Sequence, residues 1–260
     1  MTDRSKWFRV FTPRPEARLR LVCFPYAGGS ASAFRGWADL LPPTIEVVAV
    51  QYPGRQDRFN EPCMEDMAEL ADKLAFAATH RLRGPLAFYG HSLGASVAYE
   101  TARRLEQQAS SPTVVRLFAA ARSAPDSPKR RNLLFHSDEL LMDYVRELGG
   151  SGAAVLEVEE LRQLALPTLR SDFALAHGYS YHPGTPLNCP LTAIAGEQDA
   201  SFTPEDTELW RRHTASDFDT RVIPGGHFFL EEASQDLVAL LAEQLNPPVA
   251  TGLQTRGTSR

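Results

Sequence analysis

The chain has 260 residues, of which 43% are hydrophobic and 23% charged, a composition typical of a folded globular protein. Its net charge of −5, with no basic stripe, argues against nucleic acid as a partner. No apolar run approaches the roughly 18 residues that a membrane span needs, and the N-terminal residues lack the apolar core of a secretory signal.

The three cysteines are widely spaced and form no metal-ligand cluster, so neither a metal site nor a disulfide framework is predicted. Free cysteines are typical of a reducing compartment. We therefore expect a cytoplasmic protein that binds neither membrane nor nucleic acid.

Strands and helices alternate through the first 120 residues. A short edge strand or an irregular lead-in is expected before residue 17. The apolar and polar patterns then predict strands at 19–24, 45–50, 86–89 and 114–120, with helices at 31–41, 64–82 and 95–106. Strands separated by helices of this length pair in parallel with right-handed crossovers. The sequence therefore predicts an α/β fold with a mostly parallel central sheet.

This alternation stops after residue 121 and resumes near residue 190. Helices are expected at 137–148 and 157–179, the second broken or kinked at Pro167. A helical insertion here would cover the ligand-binding crevice at the carboxyl ends of the strands. The remaining pattern predicts a strand at 191–195, a helix at 204–213, a strand at 218–223 and a helix ending at 245. We expect one domain, 1–245, with a lid insertion at about 122–185 and a disordered tail at 246–260.

A G-x-S-x-G motif lies between the strand that ends at residue 89 and the helix that follows. In this context the serine occupies a sharp turn that exposes its hydroxyl group. The N-terminus of the following helix favours negative charge beside it. Ser92 is therefore the predicted nucleophile.

A nucleophilic serine needs a base and a group that orients the base. When the serine follows a strand of an α/β sheet, the acid and then the histidine follow it along the chain. Asp199 and His227 occupy that order, each in a loop after a predicted strand. Glu197 shares the loop of Asp199 and is an alternative partner for the histidine. His91, next to the serine, is expected to be structural.

The remaining acids and histidines have weaker claims to the site. Asp217 and Asp219 flank the last strand at its other end, and His177 and His182 are interpreted as solvent-exposed or lid residues.

Two backbone N–H groups are expected to stabilise the oxyanion of a serine hydrolase. Leu93, directly after the nucleophile, supplies one. The second is assigned to Ala27, in the glycine-containing loop after the first long strand, with Tyr26 as its alternative.

Six segments together resemble the type II thioesterases, the stand-alone editing hydrolases of polyketide and nonribosomal peptide synthesis. They are F-P-Y-A-G-G at 24–29, Y-P-G-R at 52–55, G-H-S-L-G at 90–94, L-P-T-L-R-S-D-F at 166–173, G-E-Q-D at 196–199 and G-G-H at 225–227. The resemblance, over about residues 7–245, implies an α/β-hydrolase fold with a mobile helical lid and the triad Ser92, Asp199 and His227. It also implies acyl groups on the phosphopantetheine arm of acyl or peptidyl carrier proteins as substrate. No cofactor is expected, and the protein is expected to act as a monomer.

Other functions remain open at this point. A small-molecule carboxylesterase or an acyltransferase would use the same triad, and a non-catalytic partner-binding module would require the triad to be vestigial. A basic cluster at 128–131 and Arg211 with Arg212 are candidate docking sites for an acidic carrier protein, although charged surface of this kind is more often only solvated.

Overall fold

The computed structural model describes residues 6–127 and 135–245. The described residues contain seven strands: β1 (Phe8–Arg9), β2 (Leu19–Phe24), β3 (Ile45–Val50), β4 (Leu86–His91), β5 (Val114–Ala120), β6 (Leu191–Gly196) and β7 (Phe218–Ile223). They form one sheet in the order β1-β3-β2-β4-β5-β6-β7. Every neighbouring pair is parallel except β1 and β3. The predicted α/β-hydrolase fold is confirmed.

Helices cover both faces of this sheet. The α-helices of the described residues are α1 (Trp37–Leu40), α2 (Met67–Arg81), α3 (Leu93–Glu106), α4 (Asp138–Leu148), α5 (Ser151–Leu156), α6 (Glu159–Gly178), α7 (Phe229–Glu232) and α8 (Ser234–Leu245). Side chains of α2, α3 and α6 pack in the apolar core on one face, and those of α1 and α8 pack in the core on the other. Because both faces are covered, every residue of β3, β4 and β6 is buried.

The strand predictions are confirmed with few changes, but three predicted helices differ. In place of a helix at 31–41, a 3-10 helix (Ala31–Phe34) and the four-residue α1 flank Gly36. Glycine disfavours a continuous helix by about 1 kcal/mol relative to alanine. Residues 204–213 form a 3-10 helix, and the last predicted helix is divided into α7 and α8.

Three helices, α4, α5 and α6, lie between β5 and β6, and we call them the insertion helices. Ser137 caps α4 by accepting a hydrogen bond from the Leu140 N–H, as its position predicts. The sequence pattern did not indicate α5. Helix α6 is assigned without interruption through Pro167, but its burial changes there. No residue of α6 up to Pro167 is buried, whereas seven after it are.

The chain has three cysteines, all free thiols. Cys23 and Cys189 are buried, and burial raises the pKa of both, that of Cys189 to about 12. Cys63 is half-buried. The predicted tail at 246–260 and the basic cluster at 128–131 lie outside the described residues.

Candidate active site

The predicted nucleophile lies in a strained turn between β4 and α3. Ser92 has φ +52° and ψ −119°, a backbone conformation that few non-glycine residues adopt. A Cβ atom on Gly94 would collide with the backbone of Phe24 on β2, so only glycine fits that position. The turn therefore presents the serine hydroxyl at the carboxyl edge of the sheet.

His227 lies between the serine and an acid. Its Nε2 is 3.1 Å from Ser92 Oγ, and its Nδ1 is 2.8 Å from Asp199 Oδ2. Asp199 follows β6 and His227 follows β7, and these strands are parallel neighbours. The structure therefore brings together three side chains that the sequence separates by 135 residues.

The Asp199 carboxylate is held by further donors. Its Oδ1 accepts hydrogen bonds from the N–H groups of Ser201 and Phe202, at 2.8 and 3.2 Å. Asp199 and His227 are both more than 90% buried. Glu197, the alternative acid, is exposed, and its carboxylate accepts a hydrogen bond from Gln198 instead. Asp199 is therefore the carboxylate that orients the imidazole.

His91, expected to be structural, supports the loop that carries His227. Its ring is fully buried, with Nε2 2.8 Å from the His227 carbonyl oxygen and Nδ1 2.9 Å from the Tyr89 hydroxyl. Nε2 therefore carries the proton, and Nδ1 accepts from Tyr89. Burial, and secondarily the nearby His227 ring, lower the pKa of His91 to about 3. The imidazole is neutral at physiological pH.

The predicted oxyanion donors flank the serine. Leu93 is the first residue of α3, and Ala27 lies in a turn from Tyr26 to Gly29 closed by a 2.9 Å hydrogen bond from the Gly29 N–H to the Tyr26 carbonyl oxygen. In residues 6–127 and 135–245, neither the Ala27 nor the Leu93 N–H donates a hydrogen bond in a turn, loop or cap. The Tyr26 side chain donates its hydroxyl proton to Glu231 at 2.8 Å.

A small cavity of about 70 Å³ opens beside Ser92. Ala27, Leu93 and His227 are among the residues that line it. Its apolar wall comes from the insertion helices: Tyr144, Val145, Leu148, Phe173 and Ala176. His177 and His182, suggested as lid residues, are exposed and do not line this cavity.

The sequence reasoning gave no role to a buried ion pair close to this site. Arg55, after β3, forms two hydrogen bonds of 2.7 Å with Asp172 of α6. Both residues belong to segments quoted for the resemblance, at 52–55 and 166–173. Their place in these segments was the available sequence signal. The two residues are 117 positions apart, however, and nothing in the sequence indicated that they are in contact.

Among residues 6–127 and 135–245, no three His, Cys, Asp or Glu side chains cluster as metal ligands do. In the same part of the chain, no helix combines the length and apolar character that crossing a bilayer requires.

Comparison with known proteins adds to this geometry. The family model described as "Thioesterase domain" matches residues 19–245. The thioesterase PikA5 of Streptomyces venezuelae is 42% identical over 94% of this chain and 86% of its own length.

Two solved structures are also similar. The type II thioesterase BorB of the borrelidin biosynthetic cluster has a TM-score of 0.82 and 39% identity, covering 95% of this chain and 100% of BorB. The thioesterase RedJ of prodiginine biosynthesis in Streptomyces coelicolor has a TM-score of 0.79 and 40% identity, covering 88% of this chain and 87% of RedJ. The resemblance to type II thioesterases is confirmed, and the chain belongs to the thioesterase family.

Proposed function

We propose that this protein hydrolyses acyl thioesters on the phosphopantetheine arm of acyl or peptidyl carrier proteins, and so removes acyl units from a polyketide or nonribosomal peptide assembly line. Family membership supports the thioester as substrate. Similarity to BorB and RedJ, both described as thioesterases of biosynthetic clusters, supports the carrier-bound acyl group.

The observation that carries the proposal is the pair of contacts made by His227. Its Nε2 accepts the proton of Ser92 Oγ as that oxygen attacks the thioester carbonyl carbon. Its Nδ1–H donates to Asp199, which fixes the tautomer and stabilises the imidazolium. The thiol then leaves with the proton from Nε2. Water activated by His227 releases the acid from Ser92.

Two features favour the thioester as the bond that is broken. The N–H groups of Leu93 and Ala27 hold the oxyanion of the tetrahedral intermediate. A thiol has a pKa near 8.5, so the carbon–sulfur bond breaks with less charge stabilisation than the bond to an alcohol or an amine requires. All these groups belong to one chain, so the site is complete without a second copy. In this proposal the enzyme acts as a monomer and the reaction needs no cofactor.

The insertion helices act as a lid in this proposal. The cavity of about 70 Å³ is well below the roughly 300 Å³ at which ligand pockets usually begin. Because α4 contributes Tyr144, Val145 and Leu148 to its wall, outward movement of α4 would enlarge it for a tethered acyl chain.

Acyl groups loaded on a carrier protein provide the direct test. The wild-type protein should release them, and Ser92→Ala should lower kcat at least roughly 1,000-fold because the nucleophile is gone. Ser216→Ala, in an exposed loop before β7, is the matched control and should keep wild-type kcat.

The same assay separates the alternatives. Preference for an oxyester over the matched thioester would indicate a carboxylesterase, and transfer to an alcohol or amine instead of water would indicate an acyltransferase. Release of the acyl group by Ser92→Ala at the wild-type rate would contradict the proposed mechanism.

A further inference from the structure

We infer that the buried pair Arg55–Asp172 is a positioning device for the oxyanion turn at residues 26–29, through which helix α6 controls the orientation of the Ala27 N–H group. This inference rests on the proposed acyl-enzyme mechanism. It assigns roles to two residues that do not touch the reacting atoms.

The pair forms hydrogen bonds directly with the turn. Asp172 Oδ2 accepts a 2.7 Å hydrogen bond from the Gly28 N–H, and Arg55 donates a 3.0 Å hydrogen bond to the Gly29 carbonyl oxygen. The pair thus holds one donor and one acceptor on consecutive residues of the turn. Arg55 and Asp172 are 7% and 2% exposed, so water does not compete effectively for these contacts.

The turn orients the backbone of Ala27. Gly28 has φ +77° at the third position of the turn, while Ala27 has no positive φ, as in a type II turn. The Ala27 N–H shares a planar trans peptide with the Tyr26 carbonyl, and the two groups point in opposite directions. Because the Gly29 N–H holds the Tyr26 oxygen, the turn conformation determines where the Ala27 N–H points.

Helix α6 also packs against the turn. A Cβ atom on Gly28 would lie 2.6 Å from Leu169 Cδ2, so α6 packs directly against the turn. Thr168 of the same helix donates a hydrogen bond to the Gly54 carbonyl oxygen next to Arg55. The pair therefore lies at the contact of three segments: the oxyanion turn, the loop after β3 and the buried half of α6.

An alternative role is purely structural, since breaking one partner of a buried ion pair is strongly destabilising by itself. The test therefore uses variants that keep the charge balance. Arg55→Met with Asp172→Leu removes both charges and the acceptor for Gly28. Arg55→Met with Asp172→Asn removes both charges but keeps an amide oxygen for Gly28. Arg55→Lys keeps the charge and loses the bidentate geometry.

The readouts are kcat and KM for a small acyl-pantetheine, and inhibition by a trifluoromethyl ketone, which adds to Ser92 to form a stable oxyanion. We expect the Met/Leu variant to lose between roughly tenfold and 1,000-fold in kcat, up to the effect of deleting one oxyanion donor. KM should change less than threefold, and the inhibition constant should rise by the factor lost in kcat/KM. The kcat of the Met/Asn variant should be at least tenfold higher than that of the Met/Leu variant. The kcat of Arg55→Lys should be roughly tenfold lower than that of the wild type.

Arg170→Gln is the matched control, because Arg170 lies on the same helix and pairs with Asp138 at the surface. It should keep wild-type kcat and inhibition. The inference is overturned if the folded pair variants keep wild-type kcat, or if kcat falls while the inhibition constant does not change. If the Met/Leu variant does not fold, Arg55→Lys and the Met/Asn variant decide by the same criteria. Ketone binding needs no turnover, so it tests the positioning role even if thioesters prove not to be the substrate.

Discussion

Asp199 is distinguished from its neighbours by its contact with His227 Nδ1. Asp199→Asn replaces a carboxylate with an amide that no longer fixes the imidazole tautomer or stabilises its cation. We expect kcat to fall by roughly 10⁴-fold, as with the equivalent change in other serine triads. Steady-state hydrolysis of an acyl-pantetheine measures this. Glu197→Gln, in the same loop, is the control and should keep wild-type kcat. A comparable loss in that variant would show that the wrong acid has been assigned.

His91 predicts a pH dependence of stability. The unfolded chain binds a proton at this residue near pH 6.5, whereas the native state does so only near pH 3. Between pH 6.5 and about pH 3 the unfolded state therefore binds more protons, and as the pH falls through that range His91 lowers the free energy of unfolding by about 1.4 kcal/mol per pH unit. Above pH 6.5 its contribution is constant.

His91→Gln should remove this component, because glutamine does not titrate and can still contact Tyr89 and the His227 carbonyl. Urea unfolding between pH 7 and pH 4.5 measures how the free energy of unfolding changes with pH in the wild type and in the variant. Burial also lowers the pKa of His213, so the wild-type slope has a second source, and the difference between the two proteins isolates His91. If the free energy of unfolding changes equally with pH in the wild type and the variant, His91 is not a buried neutral imidazole.

At the scale of elements, buried apolar side chains of α4 and α5 pack in the core, and two sets of polar contacts also hold the insertion helices. After Pro167, helix α6 is fixed by Asp172 and its apolar neighbours. Near the start of α5, the N–H and hydroxyl groups of Ser151 donate to Glu231, at 2.8 and 2.9 Å. The contact between Ser151 and Glu231 is exposed, whereas Asp172 is buried. The part of the lid that moves in our proposal is therefore α4, α5 and α6 before Pro167.

Glu231→Ala should release this part of the lid. Losing these exposed hydrogen bonds should raise the rates of amide hydrogen exchange in α4 and α5 by roughly five- to thirtyfold, the effect of one or two kcal/mol. Exchange after Pro167 should not change. Mass spectrometry of peptic fragments measures this, with Asp236→Ala in α8 as control. Equal acceleration in both halves of α6 would argue against a boundary at Pro167.

The elements also show what the sequence could predict. Short apolar runs such as Ile45–Val50 identified the strands, and their parallel order placed the loops after β4, β6 and β7 at one edge. Together with the chain order serine, acid, histidine, this made Asp199 and His227 the predicted partners of Ser92. The Arg55–Asp172 contact was not predictable because it depends on how the insertion packs back on the loop after β3. The apolar pattern of 31–41 predicted one helix, although Gly36 in its middle disfavours a continuous one.

At the scale of the molecule, the two faces of the sheet have separate cores, and the candidate active site lies at the edge between them. Leu241 of α8 is fully buried on the face opposite α6. Leu241→Ala should lower the free energy of unfolding by about 2–5 kcal/mol through loss of burial and creation of a cavity. Below the unfolding transition, kcat should stay within twofold of wild type.

Urea unfolding and kcat at a temperature below the transition test this separation. Leu240→Ala, one residue earlier and only half-buried, is the matched control and should be less destabilising. A large loss of kcat in folded Leu241→Ala would mean that the core under α8 determines the geometry of the catalytic edge.

The state of the three thiols has a practical consequence for measuring this enzyme. Cys23 and Cys189 have raised pKa values and are shielded from solvent, so thiolate-specific reagents should find at most Cys63 in the folded chain. Liberated pantetheine can then be followed continuously with a chromogenic disulfide. The protein itself adds a small, constant background, and unfolding reports itself as a sudden increase in titratable sulfhydryl groups.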